Sequence, residues 1–280
     1  MKHNILVIGG TGKTGRHVVE NLTDLGHHVR VGTRSNEPQF DWDDVSTFGP
    51  ALKGMDRAYI VYYPDLAVPG AKEAITALVS AALKEGLEKV VLLSGKGETE
   101  AEACEEIVAH SGLNYTLVRA SWFNQNFSEG AFRDYILAGH MALPMPTASI
   151  PYTDTKDIAD MVTKALLDDS LNGETLTVTG PTKLTFEEVA AIISSKLGRT
   201  IQYQAISMEE FKAGLVAAGL PESFIWLLGY LFTEVLGHSE NQTISHDVER
   251  VLGRKPVSFE EYVDNMITDG VWNQAVSHTV

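Results

Sequence analysis

Polar and apolar positions change period several times along the chain, and the first change is abrupt. Asn4 to Gly9 (NILVIG) is apolar at every position after Asn4. A strand with one wet face alternates, so an unbroken run predicts a strand covered on both faces, as in a parallel sheet. From Lys13 to Leu25 the pattern is helical, and HHVRVGTR (His27 to Arg34) predicts a second strand. AYIVYY (Ala58 to Tyr63) predicts another, followed by a long helix from about Pro69 to Glu85 and the strand KVVLLSG (Lys89 to Gly95). Glu98 to Ser111, rich in Ala and Glu, predicts a helix, and YTLVRAS (Tyr115 to Ser121) a further strand. These last three strands are counted as the fourth, fifth and sixth. Strands separated by helices, with Gly at the junctions, predict an α/β fold with a doubly wound parallel sheet.

After about Phe123 the pattern loosens. DTKDIADMVTKALLDD (Asp154 to Asp169) predicts a helix with its apolar stripe at Ile158, Met161, Val162, Ala165 and Leu166. ETLTVTG (Glu174 to Gly180) predicts a strand, and TFEEVAAIISSKLG (Thr185 to Gly198) a helix that opens on a Thr-x-x-Glu capping box and closes on Gly. The remainder predicts helices over one end of the sheet. The expected organisation is a Rossmann-type nucleotide-binding core over residues 1–150. Residues 151–280 then complete that core and form a smaller, mostly helical substrate lobe, continuous with it.

Charge narrows the partners. With 37 acidic against 22 basic side chains the net charge is −15, a field that repels polyanions. No Lys/Arg cluster offsets it, so nucleic acid is not an expected partner. The longest apolar stretch, FIWLLGYLF (Phe224 to Phe232), is about half of the roughly 18 residues a membrane span needs. The apolar run in MKHNILVIGG meets glycines too early for a signal peptide. A single cysteine, Cys104, rules out an internal disulfide, falls in a helical pattern as an inert buried thiol, and suits a reducing cytoplasm. The nine histidines show no metal-ligand spacing, and no Gly-x-Ser-x-Gly elbow accompanies a His/Asp pair.

The candidate chemistry starts at VIGGTGKTGRHV (Val7 to Val18). Gly9 turns the chain sharply off the strand, Gly12 leaves room for a pyrophosphate, and Gly15 lets the next helix pack closely with its N-terminus toward the phosphates. Gly9, Gly10, Thr11, Gly12, Lys13, Thr14 and Gly15 are the expected cradle. A carboxylate at the end of the second strand would hold the ribose of NAD. Arg34 and Ser35 stand there instead and suit a 2′-phosphate, so the expected cofactor is NADP(H).

These features resemble the NmrA-like branch of the atypical short-chain dehydrogenase/reductases. TRS after the second strand, ALKGMDRAYIVYYP, LLSGKGE, SGLNYTLVRASWFNQNF and TDTKDIADMV carry the likeness, mainly over Met1 to Gly180. Members of the family include reductases of quinones, cationic and azo dyes and an ergot-alkaloid iminium, and redox-sensing regulators that bind NADP(H) without turnover. The resemblance implies that Asp41 and Trp42 flank the adenine and that Val61, Tyr62 and Tyr63 lie beside the ribose and nicotinamide. It places Ser94 and Gly95 at the end of the fifth strand and a pocket at Trp122, Phe123 and Asn126. The aromatics Tyr62, Tyr63, Trp122 and Phe123 are candidates to sandwich a flat substrate.

Alcohol-oxidising relatives carry Tyr-x-x-x-Lys on the helix after the fifth strand, where lysine lowers the tyrosine pKa for proton transfer. Here that helix has neither residue, and the one match, YTDTK (Tyr152 to Lys156), opens a later helix and reads as chance. Tyr63, Ser94 and Lys96 remain as candidates for a proton or hydrogen bond. The expected function is an NADPH-dependent oxidoreductase delivering hydride to an electrophilic, conjugated or cationic small molecule. The alternative is a non-catalytic NADP(H) sensor acting through a regulatory protein partner, and a third reading is epoxide opening or isomerisation. A homodimer is left open.

Arg34→Ala is expected to weaken NADPH binding about 10- to 100-fold, the weight of hydrogen bonds to a charged group, and to leave NADH binding nearly unchanged. Fluorescence titration with both nucleotides checks it; equal losses would remove the arginine from the 2′-phosphate.

Overall fold

The apolar runs become strands wherever both faces find a cover. The computed structural model describes residues 2–130 and 132–273. These fall into two units, between which the chain passes repeatedly. One gathers the chain up to Ala120 with Thr155–Val178 and Ser245–Lys255; the other holds Ser121–Asp154, Thr179–Ile244 and the segment from Pro256. In chain order the first unit contributes β1 (Asn4–Ile8), α1 (Gly15–Asp24), β2 (His28–Gly32), α2 (Phe48–Leu52), β3 (Arg57–Ile60), α3 (Ala71–Glu85), β4 (Lys89–Gly95), α4 (Thr99–Ala109) and β5 (Asn114–Ala120). The second adds α5 (Arg133–Ala138) and β6 (His140–Leu143), and the first resumes with α6 (Thr155–Leu167) and β7 (Thr175–Val178). Then come α7 (Phe186–Leu197), β8 (Gln202–Ala205), α8 (Met208–Ala217) and α9 (Glu222–Tyr230) in the second unit, α10 (Asp247–Leu252) in the first, and α11 (Phe259–Thr268) in the second.

The first unit is a parallel six-stranded sheet in the order β2-β1-β3-β4-β5-β7, the Rossmann-type architecture expected. One face, with Leu6, Ile8, Ala58, Ile60, Val90 and Leu92, packs under α2, α3 and α4 through Phe48, Leu52, Ile75, Leu78, Ala101 and Cys104. On the other face lie Val7, Tyr59, Val91 and Val118, all fully buried. There the α6 stripe of Ile158, Met161, Val162, Ala165 and Leu166 is at 0% exposure. Burying each of its larger members contributes about 1.5–3 kcal/mol.

Two expectations are corrected. The strands counted as fourth, fifth and sixth are the third, fourth and fifth. Between β2 and β3 the chain forms a short 3-10 turn (Val45–Thr47) capped by Asp44, and then α2, with no strand. The loose second half also contains a two-stranded parallel sheet, β6 with β8, that the pattern did not announce. Elsewhere in the second unit the Thr185 capping box forms as expected, and Ser207 with Glu210 makes another on α8. No helix among the described residues is long and apolar enough to cross a membrane.

Polar contacts lock α6 in place. Asp157, with no exposure, and Asp160 both bind Arg254 from just beyond α10, and Asn21 of α1 donates to Asp160 at 3.0 Å. At the amino edge of the sheet the buried Arg57 and Lys89 donate to the carbonyls of Leu166 and Asp168. That edge is closed by its own side chains.

Arg254→Met is expected to cost roughly 2 kcal/mol or more, because a buried carboxylate loses its cation. Asp157→Asn in that background should recover part of the loss by removing the stranded charge. Urea denaturation of the two single variants and the double variant checks this; additive losses would mean that the pair is not coupled.

Candidate functional site

The carboxyl edge of the same sheet is built differently, and β1 sets it. Ile8 is buried, and the chain then turns at Gly9, whose φ of +69° suits a residue without a side chain. The Gly12 amide donates to the Gly9 carbonyl at 2.9 Å, closing the loop. A Cβ on Gly15 would lie 2.2 Å from the Gly9 oxygen and 2.8 Å from the Gly10 Cα. The close approach expected of Gly15 is therefore made to the loop backbone. Gly10 is also confined, its Cβ position 2.8 Å from a methyl of Val31. Around Gly12 a Cβ would meet the Gly9 oxygen at 3.2 Å and nothing else within 4 Å, so the loop is open there.

α1 begins at Gly15 with no acidic residue in its first turn, which leaves its positive end unneutralised by its own side chains. Thr14 turns inward and hydrogen-bonds the Tyr59 hydroxyl at 2.9 Å, both side chains being buried. Burial pushes that phenol far up, so it stays protonated. Tyr59 is a residue the sequence reading missed. The available signal was a phenol in the middle of a buried strand, which must find a partner.

β1 and β3 are neighbours whose connections leave in opposite directions along the sheet, β1 through α1 to β2 and β3 through α3 to β4. This is the switch point, where open α/β sheets form their ligand crevice. The side chain of Val61, just past β3, stands 3.5 Å from where a Gly9 Cβ would be. The Trp42 indole donates to the Val61 carbonyl at 3.2 Å, and its ring meets Tyr62 at 4.8 Å. So Trp42, Val61 and Tyr62 are brought together beside the glycine loop. Burial raises the Tyr62 phenol first, with Asp43 adding to it. Asp41 accepts the Asp43 amide, and its own amide donates to Thr47, which shapes the turn before Trp42. Arg34 and Ser35, after β2, are both exposed, and Arg34 makes no ion pair among the described residues.

The proton-transfer candidates differ in setting. Tyr63 is 80% exposed, whereas Ser94 near the end of β4 is 5% exposed and its hydroxyl finds no partner among the described residues. Lys96 is half-buried, which lowers its pKa, and its amide donates to the Ala120 carbonyl at 2.9 Å.

Trp122, Phe123 and Asn126 belong to the second unit. Trp122 packs there against Phe132, Phe186 and Phe232, at 5.1 Å from the last, while Phe123 bridges Thr153. Tyr152 of the chance dyad is buried among Phe127, Phe186 and Phe259, and burial drives its phenol well above the ordinary range. Lys156 is exposed. A phenol so placed is no proton donor at neutral pH. Cys104 is fully buried, its thiol pushed up to about 11 by desolvation, as an inert cysteine should be. No group of metal-ligating side chains occurs among the described residues.

Known proteins share this fold. The chain is 28% identical over 278 residues to prestalk A differentiation protein A of Dictyostelium discoideum, covering 93% of this chain and 91% of that protein. It is 28% identical over 286 residues to agroclavine dehydrogenase of Claviceps fusiformis, covering 96% and 98%. Among solved structures, the NADPH-dependent quinone oxidoreductase of Escherichia coli in complex with NADPH superposes with a TM-score of 0.81 at 20% identity, covering 94% of this chain and 99% of that one. At that identity the superposition speaks for the fold. A sequence profile of the NmrA-like family matches residues 1–263, and the chain belongs to that family.

Proposed function

We propose that this chain is an NADPH-dependent reductase that delivers hydride to an electrophilic small molecule such as a quinone, an iminium ion or a cationic dye. The glycine cradle at the β1/β3 switch point carries this reading. The loop packs too closely on Val31 and on itself for side chains at positions 10 and 15, stays open at Gly12, and stands against the uncapped start of α1. Those residues fit a dinucleotide. The loop from Gly9 to Gly15, Lys13 included, would hold the pyrophosphate, and Arg34 with Ser35 the 2′-phosphate. Asp41 and Trp42 would flank the adenine, with Val61, Tyr62 and Tyr63 beside the ribose and nicotinamide. When bound, NADPH supplies the hydride. The names of the Claviceps dehydrogenase and the Escherichia coli quinone oxidoreductase support the same class of reaction.

The protein's own share is binding and orientation. An acceptor that is already electrophilic needs little activation, so holding it against the hydride donor supplies most of the rate. Ser94 and Lys96 are suited to hydrogen-bond the acceptor. In this reading the chain is an atypical short-chain reductase without the Tyr-x-x-x-Lys dyad. That same feature favours a second reading, an NADP(H) sensor that acts through a protein partner: α4 has neither Tyr nor Lys, and Tyr152 is sealed in an apolar cluster.

NADPH oxidation by the purified protein with a small quinone, an iminium salt and a triphenylmethane dye decides between them. Turnover is expected, and Gly15→Ala should reduce it at least about 100-fold, because misplacing the bound reactant by an ångström costs that much. Tight NADPH binding without turnover of any acceptor would overturn the enzyme in favour of the sensor. A sensor must bind NADP⁺ and NADPH with different affinities to shift its own equilibrium.

A further inference from the structure

Glu98 stands at the N-cap of α4, yet its side chain makes no capping bond. It turns back to the end of β4 instead. A Cβ on Gly95 would lie 1.8 Å from its Oε1 and 2.1 Å from its carboxyl carbon. Position 95 is bare because the Glu98 carboxyl occupies that space. Glu98 is 8% exposed, and its carboxyl shares a hydrogen bond with that of Asp65, on the segment after β3. Two carboxylates have no hydrogen to share, so this bond requires a proton on one of them. Asp65 accepts the Ala67 amide at 2.8 Å, which favours its charged form. Glu98 is the more deeply buried partner and keeps the proton.

The surroundings reinforce that state. Burial, then the Asp65 charge, then Glu105 of α4 hold the Glu98 carboxyl well above the usual range, and burial raises Asp65 too. The cations on the neighbouring elements are engaged elsewhere: Arg119 of β5 pairs with Glu105 at 2.5 Å, and Lys72 of α3 with Glu100 at 3.0 Å. Lys96 lies close in sequence, half-buried on the β4–α4 loop. An independent feature marks the same place as facing a ligand. By strand alternation Ser94 lies on the face of β4 that α4 covers, with Val90 and Leu92, and its buried hydroxyl has no partner among the described residues. A buried hydroxyl at the ligand-binding edge of a parallel sheet is completed by what binds there.

The geometry points to Glu98 as the proton donor for substrates that need a proton as well as a hydride, with Asp65 as the residue that positions this proton and Ser94 as a hydrogen-bond donor to the same substrate oxygen. This rests on the reductase reading above. Reducing a quinone takes up one hydride and one proton. NADPH gives the hydride and becomes NADP⁺; the quinone gains two electrons. The Glu98 O–H bond breaks as an O–H bond forms on the quinone oxygen, and the carboxylate regains its proton from water. A triphenylmethane cation is neutralised by the hydride alone and needs no such donor. The pair thus extends the substrate class from cations to neutral carbonyl acceptors.

The test compares both acceptors in Glu98→Gln and Asp65→Asn. Glu98→Gln should lower kcat for the quinone about 100-fold, the usual weight of a positioned acid, and at least about tenfold more than for the dye. The wild-type quinone rate should fall as pH rises through the titration of Glu98. That limb should vanish in Glu98→Gln and move to lower pH in Asp65→Asn, where the neighbouring negative charge is gone. Nucleotide-free protein at neutral pH should show the infrared carbonyl band of a protonated carboxyl, lost in Glu98→Gln. Equal losses for both acceptors, a pH limb retained in Glu98→Gln, or no such band would each overturn the assignment. Should Glu98→Gln not fold, Gly95→Ala, which displaces the carboxyl, must give the same split between acceptors. Wild-type protein that reduces neither acceptor would refute the reductase reading, while the infrared band would still report on the pair.

Discussion

The structure depends on one close approach, the start of α1 against the turn that ends β1. With 2.2 Å between the Gly9 oxygen and any Cβ at position 15, nothing larger than glycine keeps the helix where it is. Its position fixes the direction of the α1 dipole and brings Thr14 onto Tyr59. It also leaves the loop open at Gly12. Other parts of the carboxyl edge are arranged around this contact. Val61 closes on Gly9 from β3, and Trp42 is tied to Val61 by a hydrogen bond. The amino edge, in contrast, is filled by Arg57 and Lys89, whose charges are spent on carbonyls and on Asp169. One end of the sheet is filled by charged side chains, and the other is left open at Gly12.

Much of this is legible in the sequence. β1 and β4 could be read because a run of Ile, Leu and Val with no polar break has few alternatives to a doubly covered strand. The glycine loop was legible because each glycine answers a separate steric demand. The α6 stripe was legible because five apolar positions at helical spacing leave one face to bury. Other features were out of reach for equally physical reasons. The strands HMAL and QYQA carry no strong strand former apart from Tyr203 and pair across a long separation in sequence, so β6 and β8 gave no signal. The strand count ran one too high: between β2 and β3 the chain spends its apolar residues Phe40, Trp42 and Phe48 on an aromatic cluster, with no strand.

The site was harder to read than the fold. Glu98 sits in GETEAEACEE, where acidic residues beside a helix start are expected to face water and favour the dipole. Only the backbone at Gly95 reveals that this one turns inward. The resemblance places Trp122 at a pocket after β5, and in the structure its ring packs with Phe132, Phe186 and Phe232. Order along a chain locates a loop; it does not say which way an aromatic ring on that loop faces.

The repeated passage of the chain between the units has an evolutionary consequence. The nucleotide half is not a fragment that one cut would release. Stopping at Ala120 would strip β5 of its neighbour β7, expose the face of α1 that α6 covers, and remove α10 with Arg254. An unpaired edge and a bare apolar face both invite association. Recombination at a single boundary would break the first unit, whereas substitution or loop exchange within the second leaves the first unit's sheet intact.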